Sequence, residues 1–141
     1  MNIEINHVLV RTRYLKNMIH FLKQTVGLEE GFRPPFNFPG AWLYCDDKAL
    51  VHLIEINPND KAPSDYLGKQ TSALEIGIGA VDHIAFSGCD FSQLIERLKQ
   101  QQIKYFERMV PLTNEHQVFA EGPDGLRVEL LFKTDEILIK K

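Results

Sequence analysis

The chain repeats itself. Laid without gaps, "HVLVRTRYLKNMIHFLK" (7–23) meets "HIAFSGCDFSQLIERLK" (83–99). The identities are few, but the apolar stripes coincide: Leu15, Met18, Ile19 and Leu22 fall against Phe91, Leu94, Ile95 and Leu98. Each stripe has the i, i+3, i+4, i+7 spacing of one helix face. An internal duplication explains this best, and it restricts the fold to two like modules.

The flanking patterns agree. "NIEINHVLV" (2–10) is β-rich and precedes the first helix, which Gly27 can stop. Extended stretches follow at roughly 28–33, 41–45 and 49–56, with "CDDK" as a hairpin turn. The first module therefore reads βαβββ. In the second, "VDHIAFSG" is a strand, and Asp90 with Gln93 forms a capping box at a helix start. "IKYFER", "HQVFAE" and "LRVELLF" are three more strands, the last two joined by "GPDG". The expected organisation is one domain over 1–141: module 1 about 1–56, a linker about 57–79, module 2 about 80–133, and a tail 134–141. "NPNDKAPSDYLGKQ" reads as a linker or surface loop. "FRPPFNFPG" (32–40) suits an ordered loop whose phenylalanines edge a pocket or pack beneath the fold.

With 141 residues, 44% hydrophobic and 25% charged, the chain has the profile of one soluble globular domain. A net charge of −3 makes no case for nucleic acid or an anionic membrane surface. No apolar run nears the roughly 20 residues of a membrane span, and "MNIEINHVLV" lacks a signal peptide's basic start. Cys45 and Cys89 form no CxxC pattern and are expected to be inert. A cytoplasmic location is the default expectation.

The repeat gives two histidines a context. His7 and His83 occupy equivalent positions on the first strands, and the last strands offer His52 and Glu129. In "LRVELLF" one face carries Leu126, Val128, Leu130 and Phe132, and Glu129 is on the other. In "VDHIAFS", Ile84 and Phe86 share a face, whereas His83 lies with the smaller Ala85 and Ser87, where a cleft could open. His52 lies with Leu50 and Ile54. Neutral imidazoles and a carboxylate suit Zn²⁺, Ni²⁺, Fe²⁺, Co²⁺ or Mn²⁺, and the ligand types do not choose among them. Such a site can polarise a carbonyl and stabilise an enediolate.

These residues resemble the vicinal oxygen chelate superfamily, which includes glyoxalase I, extradiol dioxygenases, methylmalonyl-CoA epimerase and the bleomycin- and fosfomycin-resistance proteins. The resemblance rests on "NHVLVRTRYLKNMIHFLKQTVGL", "ALVHLIE", "VDHIAFSG" and "EGPDGLRVELLF" and covers nearly the whole chain. It implies an α+β fold in which two βαβββ modules form an open, cleft-like mixed β barrel around a divalent metal ion. The family's four metal positions fall on His7, His52, His83 and Glu129. The resemblance also implies a homodimer with shared metal sites, the first module of one subunit meeting the second module of its partner.

On that footing the expected function is a glyoxalase-like lyase or isomerase, acting on a small substrate that chelates the metal through vicinal oxygens. Glu129 and His52 are the candidate catalytic residues. Glyoxalase I has a glutamate where this chain has His52, so its two-glutamate proton shuttle is unavailable. An extradiol dioxygenase using iron or manganese at His7, His83 and Glu129 is the alternative, and it needs His52 to stand off the metal. A metal-free drug-binding protein is the third reading. Trp42, Tyr44, Phe36 and Phe38 are candidates for a cavity lining or for packing. Arg11, Arg13 and Arg33 could grip an anionic substrate group or lie on a solvated edge. His20 is expected on the exposed side of its helix, and His116 is a candidate neighbour of the metal strand.

Overall fold

The computed structural model describes residues 4–67, 81–88 and 90–139. Cys89, residues 68–80 and the ends of both termini lie outside the described residues. The chain divides into two compact units, Met1–Lys23 with Gly27–Glu75, and Gln24–Val26 with Ile76–Lys141.

The first unit holds β1 (Val8–Thr12), α1 (Leu15–Val26), β2 (Glu29–Gly31), β3 (Gly40–Cys45), β4 (Lys48–Glu55) and α2 (Ala62–Leu67). Its sheet runs β1-β4-β3-β2, with β1 parallel to β4 and the other pairs antiparallel. One face, with Ala41 beside Leu53 and Leu43 beside Val51, is fully buried. The α1 stripe buries Met18 and Leu22, as its periodicity requires. Gly27 ends the helix in the left-handed region (φ 79°), its N–H donating to the Lys23 carbonyl. No side chain of the preceding residue caps the start of α1. Glu55 at the end of β4 instead accepts from Leu15 N–H at 3.3 Å, which ties helix to sheet.

The second unit repeats the plan with β5 (Ile84–Ser87), α3 (Phe91–Gln100), β6 (Tyr105–Val110), β7 (Glu115–Glu121) and β8 (Arg127–Lys133), followed by α4 (Thr134–Ile139). Its sheet order, β5-β8-β7-β6, is that of the first. Leu94 and Leu98 are buried like their counterparts Met18 and Leu22. Asp90 caps α3, its carboxylate accepting from Gln93 N–H. Leu126, Val128, Leu130 and Phe132 are all buried, so the apolar face read from "LRVELLF" is the core face.

The structure differs from the sequence reading at two segments. Part of the expected linker is helical: Asp60 accepts from Ala62 N–H, and Pro63 is tolerated in the first turn because no intrahelical N–H bond is needed there. The expected tail is α4. Burial of Ile137 and a bond from Thr134 N–H to the Asn114 carbonyl hold it. Among the described residues no helix is long and apolar enough to cross a membrane.

Candidate metal centre

Strand register carries the duplication down to single residues. Leu9 of β1 stands beside His52 of β4, and Ala85 of β5 stands beside Glu129 of β8. On the other side of each last strand, Trp42 flanks His52 and Phe119 flanks Glu129. Registered neighbours point to one side of a sheet, so His52 and Glu129 occupy equivalent places on the faces opposite the two buried ones.

In the first unit His7 reaches His52. Their rings stack with centroids 3.9 Å apart and planes 11° apart, and Trp42 stacks on the far side of His52 at 3.9 Å and 9°. His7 Nδ1–H donates to Asn6 Oδ1 at 2.7 Å, which leaves Nε2 as that ring's free lone pair. Burial, and then the neighbouring His7, hold the His52 pKa below its ordinary 6.5, and a backbone hydrogen bond at Ala49 opposes this only in part. His52 is therefore a neutral imidazole at neutral pH. An imidazole lone pair lies in the ring plane, and two nearly parallel stacked planes share no nearby point. As they stand, His7 and His52 cannot both aim a lone pair at one ion.

In the second unit His83 reaches Glu129. His83 Nε2 is 3.0 Å from Glu129 Oε2, and Nδ1 is 2.8 Å from Asp82 Oδ2. A neutral imidazole has a single N–H, so one of these contacts would set lone pair against lone pair. Protonation of both nitrogens, or a cation shared by Nε2 and Oε2, removes the conflict. Two donors bound to one ion at right angles and about 2.1 Å are about 3.0 Å apart, so the spacing suits adjacent metal ligands. Asp82 is exposed, and its pKa is lowered chiefly by its hydrogen bond to His83, with Arg127 at 3.8 Å adding to the effect. A carboxylate on the outer nitrogen of a ligating histidine fixes its tautomer and raises its basicity.

Glu129 is almost fully buried, and both of its oxygens are engaged. Oε1 accepts from the Gln117 amide at 2.5 Å, and Gln117 Oε1 in turn accepts from Arg108 Nε–H at 2.8 Å. The arginine fixes which way the amide points, and the amide leaves Oε2 facing His83. Phe119 sits beneath this network, edge-on to His83, with the guanidinium groups of Arg108 and Arg127 near its ring. Gln117 was not a sequence candidate. Its signal was available: it shares a β7 face with Phe119, the residue registered against Glu129.

Among the described residues no three His, Cys, Asp or Glu side chains lie together as a metal-binding group. The candidates stand as two pairs, His7 with His52 and His83 with Glu129, each within its own unit. The donor types fit a divalent ion in both. In the second pair the spacing fits as well, whereas in the first one ring must turn.

The remaining candidates separate cleanly. Phe38 is buried in a cluster with Ile54 and Ile56, against which Phe36 and Leu9 pack. The Tyr44 hydroxyl donates to the Phe32 carbonyl. His20 is exposed on α1. His116 lies, as expected, on the strand beside the one that carries Glu129, but its side chain faces away from the candidate site. It registers with Phe132 on the core side of β7, meets Phe91 edge-on, and lies 3.7 Å from Glu107.

Comparison with known proteins agrees with this architecture. The family model described as Glyoxalase/Bleomycin resistance protein/Dioxygenase superfamily matches residues 4–130, and the chain belongs to that superfamily. A putative glyoxalase family protein from Bacillus anthracis is similar in structure at 19% identity, TM-score 0.65, over 93% of this chain and 95% of that one. A glyoxylase/bleomycin resistance protein/dioxygenase domain from Frankia sp. aligns with TM-score 0.69 at 14% identity, over 94% of this chain and 99% of that one. The fosfomycin resistance protein FosX from Listeria monocytogenes, as a variant complexed with Mn(II) and 1S,2S-dihydroxypropylphosphonic acid, aligns over 100% of both chains at 17% identity with TM-score 0.68. No curated protein matches the chain by sequence.

Proposed function

We propose that this chain is a divalent-metal-dependent enzyme acting on a small substrate that presents two vicinal oxygens, and that its reaction is a glyoxalase-type proton transfer, a lyase or isomerase step. His7, His83 and Glu129 would hold the ion. His52 is the acid/base, and it would join the ligands only by leaving the stack between His7 and Trp42. The observation that carries the reading is the 3.0 Å approach of His83 Nε2 to Glu129 Oε2, with Asp82 already on the other nitrogen. The bound ion would polarise the substrate carbonyl and acidify the adjacent C–H.

The chain's own residues supply the rest. Glu129 has Oε1 tied to Gln117, so it serves as a ligand and not as a mobile base. His52, neutral and flanked by Trp42, is the group able to take a proton at its free nitrogen and return it to the neighbouring carbon. The reading includes the homodimer that the family resemblance implies, in which His7 and His52 of one subunit would meet the second pair of the other. A small-molecule substrate is the expected partner, and a cytoplasmic location goes with it.

The His52 stack also favours a second reading. Three protein ligands leave three positions open, which is what an extradiol dioxygenase using iron or manganese requires. Elemental analysis of protein purified without chelators, followed by assays with a 2-oxoaldehyde–thiol adduct panel and a catechol panel, separates the readings. Isomerisation without oxygen uptake supports the first, and oxygen consumption that needs reduced iron or manganese supports the second. Protein that neither carries nor accepts Ni²⁺, Zn²⁺, Fe²⁺, Co²⁺ or Mn²⁺ overturns both and leaves metal-free ligand binding.

A further inference from the structure

The site face of the first sheet holds a cation for which no carboxylate partner is found among the described residues. Arg33 follows β2, and its guanidinium carbon lies 5.0 Å from the ring centres of both Phe36 and Phe38. One Nη2–H donates to the Phe38 carbonyl at 3.0 Å. Burial lowers the guanidinium's pKa, opposed only by the nearby Tyr66 phenol. A guanidinium has five N–H donors, and a partly desolvated cation is costly unless it is paired.

Its place is defined by Gly40. A Cβ on that residue would stand 2.7 Å from Arg33 Nη2, so the guanidinium occupies the space that a side chain at 40 would fill. Gly40 and Trp42 are two apart on β3 and share a face, and Trp42 registers with His52. Phe36 bridges the two, lying 6.5 Å from Trp42 and edge-on to Tyr66 at 5.0 Å. The row from the guanidinium through Phe36 and Trp42 to His52 thus runs along one surface.

We propose that Arg33 is an anion-binding residue of the substrate site, and that the natural substrate carries a carboxylate or another oxyanion, bound against Arg33 while its reacting carbon lies at His52. The proposal rests on the site assignment above for the position of the substrate, and not on the identity of the ion. The planar fork of an arginine pairs with a carboxylate through two parallel N–H bonds.

Trp42 is the chain's single tryptophan and stacks on His52, so its emission reports on the site. Pyruvate and its uncharged methyl ester would be titrated into the full chain, with Mn(II) and with chelator, for the parent, Arg33→Lys and Arg33→Gln. The parent should bind pyruvate about tenfold or more tightly than the ester, as charge-assisted bonds predict. Arg33→Gln should bring the two within about twofold, and Arg33→Lys should keep part of the preference. Mn(II) binding should be equal in parent and Arg33→Gln, which shows that the loss is not one of folding. The proposal is overturned if the parent binds neither probe, if it does not prefer the anion, or if the preference survives Arg33→Gln. Absence of Mn(II) binding in the parent, with the preference intact, would defeat the metal reading and leave this one standing.

Discussion

His83 Nε2 stands 3.0 Å from Glu129 Oε2, while the ring's other nitrogen stands 2.8 Å from Asp82 Oδ2. One imidazole between two carboxylates needs a further proton or a cation, and on the proposed reading a divalent ion on the Glu129 side would supply it, at a spacing that suits adjacent ligands. Glu129→Gln keeps the side chain's size and removes its charge. Metal content should fall below stoichiometric and turnover should be lost. Elemental analysis checks this, and full stoichiometry in the variant would sink the ligand role.

Gln117 acts on Glu129 alone among the candidates. Gln117→Leu removes the amide from Oε1 and leaves a buried carboxylate oxygen unsatisfied, which should cost about 1–3 kcal/mol of stability. Loss of an outer partner of this kind should weaken the metal by about 10- to 100-fold. Urea unfolding and competition with a chelator measure the two effects separately.

Asn6 and Asp82 precede equivalent histidines and each engages Nδ1, at 2.7 Å and 2.8 Å. Asp82→Ala should weaken metal binding by about 10-fold or more, and Asp82→Asn, which keeps an acceptor, should recover part of the loss. Asn6→Ala should have a smaller effect, because a neutral amide adds less basicity to its partner. Equal affinities across all three variants would show that these contacts do not orient the rings.

Stability should depend on pH through His52. Burial and His7 lower its folded pKa, so between that value and 6.5 the unfolded chain binds a proton that the folded chain does not. Stability therefore rises with pH across this window and is lost as pH falls below 6.5. The difference in urea midpoint between about pH 7.5 and about pH 5.5 should narrow in His52→Gln relative to the parent. An unchanged difference would assign the dependence to other groups.

Gly40 leaves no room for a methyl group. A Cβ there would meet the Leu53 carbonyl oxygen at 2.3 Å, and a backbone atom cannot swing aside as a side chain can. Gly40→Ala should cost about 1–3 kcal/mol, with thermal unfolding as the measure. A melting temperature equal to the parent's would mean that β3 and β4 shift apart without penalty.

Much of the fold was legible because both periodicities are local. The stripe from Leu15 to Leu22 and the alternation in "LRVELLF" each report on one element, and burial follows them. The "GPDG" turn also set the β7–β8 register, with Glu121 opposite Arg127, from which Phe119 falls beside Glu129. The α2 segment was missed because polar composition masked the local contact that orders it, Asp60 to Ala62, and α4 because the bond that holds it, Thr134 to Asn114, joins residues far apart in sequence. His116 was rightly expected beside the strand of Glu129, but strand alternation sends its side chain to the core face and that of its neighbour Gln117 to the site face.

The sequence by itself determined the duplication, the two βαβββ modules and the pairing of His7 with His52 and of His83 with Glu129, since these follow from spacing along strands. Only the tertiary structure decided how each pair is held. Whether two rings stack or point at a common centre depends on side-chain torsions and on what lies across the sheet. Trp42 keeps His52 in a stack, while Gln117 and Asp82 turn Glu129 and His83 toward each other. Those neighbours come from other strands or from loop positions whose geometry no local pattern encodes.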